Sequence, residues 1–174
     1  VAVSQNSAGL TLYLDANTYT AAVTAAPSYS TETAKIGAFS GASGAFPGSI
    51  DEVRLYNRSL SSSEISQLRA LTTPTGTETS LKGYWSFNGK DLSGTTAYDR
   101  SGAGNTGTLT NGPTVATGKI GQALSFDGTD DYSLGGVSGI SSNTSGTVTA
   151  WIKSTNSSVV QVIFGAGTAA SANY

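Results

Sequence analysis

Through most of the chain hydrophobic and polar positions alternate with a period of two, and at one place the period lengthens to that of a helix. Val53 and Leu55 alternate with Glu52, Arg54 and Tyr56, which predicts a strand with one buried face. Asp51 has the parity of Val53 and Leu55. Strict alternation therefore puts its carboxylate on the buried side, where an unpaired charge is too costly to keep ionised. Downstream, Ser61 and Glu64 have the spacing of a capping box, and Leu60 and Ile65 the spacing of a hydrophobic staple. Ile65, Leu68 and Leu71 fall on one face of a helix predicted over residues 62–71. A helix this short is marginal alone in water, so its apolar stripe requires a sheet to dock on.

The same alternation recurs elsewhere. Leu10, Leu12 and Leu14 alternate with Thr11 and Tyr13 before a turn at Asp15, Ala16 and Asn17, where alanine is a poor residue for positive φ. Residues 35–39 form another strand candidate. Both tryptophans are read as buried; Trp85 shares parity with Phe87, whereas Trp151 shares parity with Thr149 and Lys153 and is the better candidate of the two for exposure. Residues 73–80, polar and holding Pro74 and Gly76, read as a linker between residues 1–72 and residues 81–174. Many short strands separated by glycine-rich and polar turns predict an all-β fold, a two-sheet antiparallel sandwich with one short helix.

Composition narrows the chemistry. The net charge of -2 and the scarcity of Lys and Arg argue against a nucleic-acid groove or an anionic-membrane surface, and no spanning helix is visible. The chain holds neither cysteine nor histidine, which excludes disulfides, Ser-His-Asp and Cys-His catalysis, and histidine-ligated zinc. Only carboxylate chemistry remains for an enzyme. The neighbours Asp51-Glu52 and Asp130-Asp131 are unsuitable as pairs if regular strands point them to opposite faces. The expectation is a non-enzymatic protein. The absence of methionine, even at position 1, is expected of a processed or excised segment, and the Ser, Thr and Gly content suits a cell-surface or extracellular location.

Several stretches resemble one family. IDEVRLYNRSLSSSEISQL is similar to the closing segment of bacterial laminin-G-like domains of the concanavalin A-like superfamily. YWSF at Tyr84, DRSGAGNTGTL at Asp99 and GKIGQALSFDG at Gly118 resemble its opening segments. The resemblance implies a jelly roll, with residues 1–72 as its closing half and residues 81–174 as its opening half, in inverted order. About two of the family's strands have no counterpart. Three arrangements follow: a circular permutant, an out-of-phase piece of a tandem array, or a subunit completed by neighbouring copies through strand pairing. The resemblance also implies an adhesion, recognition or structural module of a surface protein or fibre, with a glycan or a cell-surface protein as partner. The alternative is a carbohydrate-binding, lectin-like module attached to a secreted glycoside-active enzyme.

Candidate sites are few. Asp51, together with Asp99 and Asn105 flanking the glycine-rich turn at residues 101–104, offers oxygen ligands of the type calcium takes. In the resembled family a structural calcium occupies such a turn. The alternative is that Asp99 and Asn105 make Asx turns and Asp51 accepts backbone N–H groups. Asp127, Asp130 and Asp131 form a second acidic cluster, read as a hairpin turn at Asp127-Gly128 or as a second metal site. For ligand binding, Trp151 and Tyr132 are the candidate aromatic platforms for a sugar face.

Overall fold

The computed structural model describes residues 1–22, 34–39, 44–70, 79–136, 138–139, 145–156 and 161–166. In chain order the strands are β1 (Ala2–Asn6), β2 (Gly9–Leu14), β3 (Asn17–Ala21), β4 (Ala34–Ile36), β5 (Pro47–Tyr56), β6 (Leu81–Trp85), β7 (Leu92–Ser93), β8 (Thr96–Ala97), β9 (Gly107–Thr110), β10 (Thr114–Thr117), β11 (Gln122–Asp127), β12 (Tyr132–Gly135), β13 (Gly146–Ser154) and β14 (Phe164–Ala166). Helix α1 (Ser62–Ala70) lies between β5 and β6. The larger sheet runs β10-β11-β5-β13-β1-β2-β3, with β6 also paired to β5, and the smaller runs β14-β4-β12-β9-β8-β7. Every pairing is antiparallel. Among the described residues the expected all-β, two-sheet jelly-roll sandwich with one short helix is the fold observed. Strands from both ends of the chain alternate within it, since β5 lies between β11 and β13, and β4 between β12 and β14. Among the described residues both halves of the sequence thus contribute strands to both sheets.

Between the sheets Ile36, Phe46, Ile50, Val53, Leu55, Trp85, Phe87, Leu124 and Phe126 form the main core. A second cluster of Tyr56, Leu60, Leu81 and Tyr84 lies on the other face of the larger sheet, where Ile65 and Leu68 of α1 cover it. This is the docking that the short amphipathic helix needs. Its start is capped as the spacing predicts. The Ser61 N–H donates to Glu64 Oε2 at 2.9 Å and the Glu64 N–H donates to Ser61 Oγ at 3.3 Å. Arg58 grips the same carboxylate through Nη1 at 3.0 Å and Nη2 at 2.6 Å. The Arg58 hydrogen bonds, followed by those of Ser61, pull the Glu64 carboxyl down to about 2. Near the other end Arg69 Nη1 donates to the Asp15 carbonyl at 2.7 Å and ties α1 to the β2–β3 turn. Leu71 and residues 72–78 of the expected linker lie outside the described residues.

In the β2–β3 turn Leu14 pairs with Asn17, and Asp15 alone takes a positive φ, 53°, so Ala16 is spared that conformation. The hairpin projects Leu14 and Tyr19 into solvent.

One expectation is overturned. Asp51 does not share the face of Val53 and Leu55, because the alternation breaks at a β-bulge. Arg54 pairs with Thr149 and Asp51 with Trp151, which leaves Glu52 and Val53 together opposite Ala150. Glu52 absorbs the extra residue with a left-handed φ of 54°. Ile50, Val53 and Leu55 therefore all reach the main core, while Asp51 lies on the helix side with its partner Trp151. Glu52 faces that side too, so the adjacent carboxylates share a face instead of pointing apart.

Candidate functional site

Helix α1, the helix-side face of the larger sheet and the β2–β3 turn enclose a cleft of about 50 Å³. Ala2, Ile65 and Leu68 supply apolar wall. Tyr13, Asp15, Glu52, Arg54, Arg69 and Trp151 supply rings and charges. Each arrives for a local reason. The bulge delivers Glu52, register with Asp51 delivers Trp151, and the tight turn delivers Asp15. A larger depression of about 340 Å³ beside Arg58 and Glu64 is bordered by groups already joined to each other.

At the floor of the cleft Glu52 is fully buried and Arg54 nearly so. Arg54 Nη2 meets Glu52 Oε2 at 2.6 Å, and the Tyr84 hydroxyl donates to the same oxygen at 2.9 Å. The guanidinium also lies 4.4 Å from the Tyr84 ring centroid. Burial first, then the neighbouring Glu52, push the Tyr84 phenol up against the opposing pull of Arg54, so it remains a donor. Glu52 Oε1 is buried and accepts no hydrogen bond.

Asp51, next along the strand, is held differently. Its Oδ2 accepts the N–H groups of Lys119 at 2.7 Å and Ile120 at 3.0 Å, fixing the tip of the β10–β11 hairpin, while Oδ1 is buried without a partner. Lys119 Nζ turns away to the Trp151 ring, 4.8 Å from its centroid. Burial raises the Asp51 carboxyl from 3.8 to about 6; the Glu52 charge adds to the rise, and the Ile120 and Lys119 N–H groups oppose it. A raised pKa in the folded state means that folding takes up a proton. The stabilisation is complete below the ordinary value and is lost as pH climbs through the folded one. Unfolding free energy is therefore expected to fall between about pH 4 and 6, by at most about 1.4 kcal/mol per pH unit from this group. Asp51→Asn keeps the Oδ1 acceptor for the hairpin and should flatten that slope in denaturant titrations. An unchanged slope would assign the pH dependence elsewhere.

Asp99 and Asn105 are brought together, and neither shares a hydrogen-bond partner with Asp51. Asp99 Oδ1 accepts the N–H groups of Tyr84 at 2.9 Å and Ser101 at 2.8 Å; Oδ2 accepts Ser101 Oγ and the Asn105 N–H, both at 2.8 Å. Asn105 Nδ2 donates to the carbonyls of Lys82 and Ser138, and its Oδ1 accepts the Ser138 N–H. All four lone-pair directions of Asp99 are spent on donors. As arranged, these residues do not fit a calcium shared with Asp51, and the glycine-rich turn is accounted for by hydrogen bonds. In the other cluster the carboxylates of Asp127, Asp130 and Asp131 lie within 4.8 Å of one another, a grouping able to hold a metal ion. Asp127 Oδ1 accepts the Thr129 and Asp130 N–H groups, Asp131 Oδ2 accepts the Asp127 N–H, and Gly128 takes a φ of 78°, as a turn requires.

The two candidate aromatics are not brought together. Trp151 borders the cleft, whereas Tyr132 stands on the outer face of the smaller sheet, with Lys35 Nζ 4.4 Å from its ring centroid. Sequence reasoning singled out Trp151 but missed Tyr13, Asp15, Glu52 and Arg54 as its companions. A signal for the bulge was present. Ile50 and Val53 are three apart and flank a charged pair, a spacing that regular alternation cannot bury on one face.

Residues 1–66 match the laminin-G-like family model described as the concanavalin A-like lectin/glucanases superfamily. No curated protein matches the chain, and no solved structure does. The matched segment runs from β1 into α1 and contains Tyr13, Asp15, Glu52 and Arg54. The likeness to the concanavalin A-like lectin/glucanases superfamily is thus carried by residues 1–66.

Proposed function

We propose that this protein is an extracellular, non-catalytic recognition module that binds carbohydrate, as a surface adhesion domain does. The observation that carries the reading is the cleft under α1, where an indole, a phenol and two carboxylates converge on a small opening. An aromatic face beside hydrogen-bonding groups is the chemistry that recognises a pyranose, with apolar C–H groups on one side and hydroxyls around its rim. The match of residues 1–66 to a family model of the concanavalin A-like lectin/glucanases superfamily supports the same reading. No helix among the described residues is long and apolar enough to cross a membrane.

Catalysis is disfavoured by how the nearby carboxylates are held. Glycoside hydrolysis places two carboxyl groups on either side of an accessible bond, one of them free to give a proton. Here Glu52 is locked between Arg54 and Tyr84, and Asp51 accepts two backbone N–H groups of a hairpin. Attachment to a glycoside-active enzyme is compatible with the same role, since a binding module concentrates such an enzyme on its substrate without itself reacting. Incubation of the protein with a broad glycan array is expected to give saturable binding to at least one neutral glycan and no released reducing sugar. Absence of binding to every glycan would defeat the reading, and release of reducing sugar would replace it with an enzymatic one.

A further inference from the structure

We propose that the cleft between α1 and the larger sheet is the carbohydrate site, and that it admits the hydroxyl-bearing edge of a neutral sugar. The inference rests on the recognition reading above and assigns it a place and a ligand chemistry.

Charge sets the class. Two arginine side chains and the Val1 amino group in the cleft face two carboxylates, and all three cations are committed, Arg54 to Glu52 Oε2, Arg69 to the Asp15 carbonyl, and Val1 to the Ala150 carbonyl at 2.7 Å beside the charge of Asp15. An anionic sugar would meet only cations already committed to other groups, and a cationic ligand would meet three cations beside the carboxylates. A neutral ligand avoids both costs. What the cleft leaves unspent is acceptor capacity. Glu52 Oε1 is buried without a partner, and a carboxylate can only accept. Its complement is an O–H donor.

Shape sets the orientation. A space of about 50 Å³ takes a hydroxyl or hydroxymethyl group and not a whole pyranose. The ring then stays at the mouth, end on, with Trp151 as the apolar wall. One side of that indole carries Lys119, so a single sugar stacks on it and a chain of sugars does not run across it. Glu52 Oε1 is sealed from solvent, so a hydroxyl reaches it only when α1 yields slightly at Ile65 and Leu68. The left-handed backbone at Glu52 is a local strain of the kind that gathers at ligand sites, here built into a bulge that turns the carboxylate toward the cleft.

The test uses the full chain and two variants. Leu68→Trp fills the cleft from the helix side. Asp15→Gly removes the carboxylate at the mouth and keeps the positive φ of that turn comfortable. Thermal melts establish that each variant folds, and Asp15→Gly remains informative if Leu68→Trp does not. On a glycan array the strongest neutral glycan bound by the unmodified chain is expected to lose about tenfold in affinity with Leu68→Trp and several-fold with Asp15→Gly. In titrations with the methyl glycosides of glucose, galactose and mannose, at least one should move the Trp151 indole N–H resonance and leave that of the core residue Trp85 in place. Array binding retained within about twofold by both variants would overturn the site while leaving the recognition reading intact. No array binding by the unmodified chain would overturn that reading, and the site with it. A Trp151 resonance unmoved by all three glycosides would also count against the site.

Discussion

Replacing Arg54 with alanine is expected to lower the unfolding free energy by about 3–5 kcal/mol, the usual cost of leaving a buried charge without its partner. Glu52 is fully buried and Arg54 6% exposed, so water cannot take over the lost contact. Three interactions go at once: the 2.6 Å ion pair, the 3.4 Å bond from Nη1 to the Glu52 carbonyl, and the stacking on Tyr84. Only the Tyr84 hydroxyl would remain on the Glu52 carboxylate. The double variant Glu52→Gln with Arg54→Met removes both charges and keeps most of the volume, and should recover much of the loss. Urea denaturation of the three proteins measures these losses. A loss below about 1 kcal/mol for Arg54→Ala, the scale of an exposed pair, would show that the pair is hydrated and the floor of the cleft is wet.

The legible parts of this fold are those whose signals are local. Ser61 and Glu64 sit three apart, and the reciprocal cap forms as that spacing requires. Ile65 and Leu68 share a face, and that face covers Tyr84 and Leu81. Asp51 shows where local reasoning stops. Its parity was counted along a regular strand, and one residue in a left-handed conformation reverses it. The same residue moves Glu52 beside Asp51 and makes a carboxylate pair that alternation forbids. The cleft was illegible for a related reason. Tyr13 and Asp15 come from a hairpin, Leu68 from a helix and Trp151 from a distant strand, and only sheet order brings them together. At Asp99 and Asn105 residue types gave a list of possible ligands. Which lone pairs were already taken depended on Tyr84, Lys82 and Ser138, strands away in the sequence.

Trp85→Ala is expected to cost about 3–5 kcal/mol, as large aromatic truncations in a closed core do, and to lower the melting temperature by roughly 10 °C in a chain of this length. The indole is 1% exposed and belongs to the core between the sheets. Its slot is built from glycines on three strands. A Cβ on Gly83 would run into the ring, and one on Gly135 would lie 3.3 Å from it and one on Gly107 3.6 Å from its nitrogen. The surrounding backbones already approach as closely as they can, and with no side chains at those positions nothing can swing in to fill the void. A second loss is polar. Trp85 Nε1 donates to the Asn105 carbonyl at 3.0 Å, in the knot through which Asp99 and Asn105 tie the glycine-rich turn to β6. Trp85→Phe separates the two terms. It keeps most of the ring volume and loses the donor, so it should cost about 1–3 kcal/mol, the range for a buried acceptor left unpaired. Its effect should appear first as faster amide exchange at Asn105 and Ser138. Equal losses for the alanine and phenylalanine variants would show that the hydrogen bond, and not the packing of the indole among its glycines, holds this end of the sandwich.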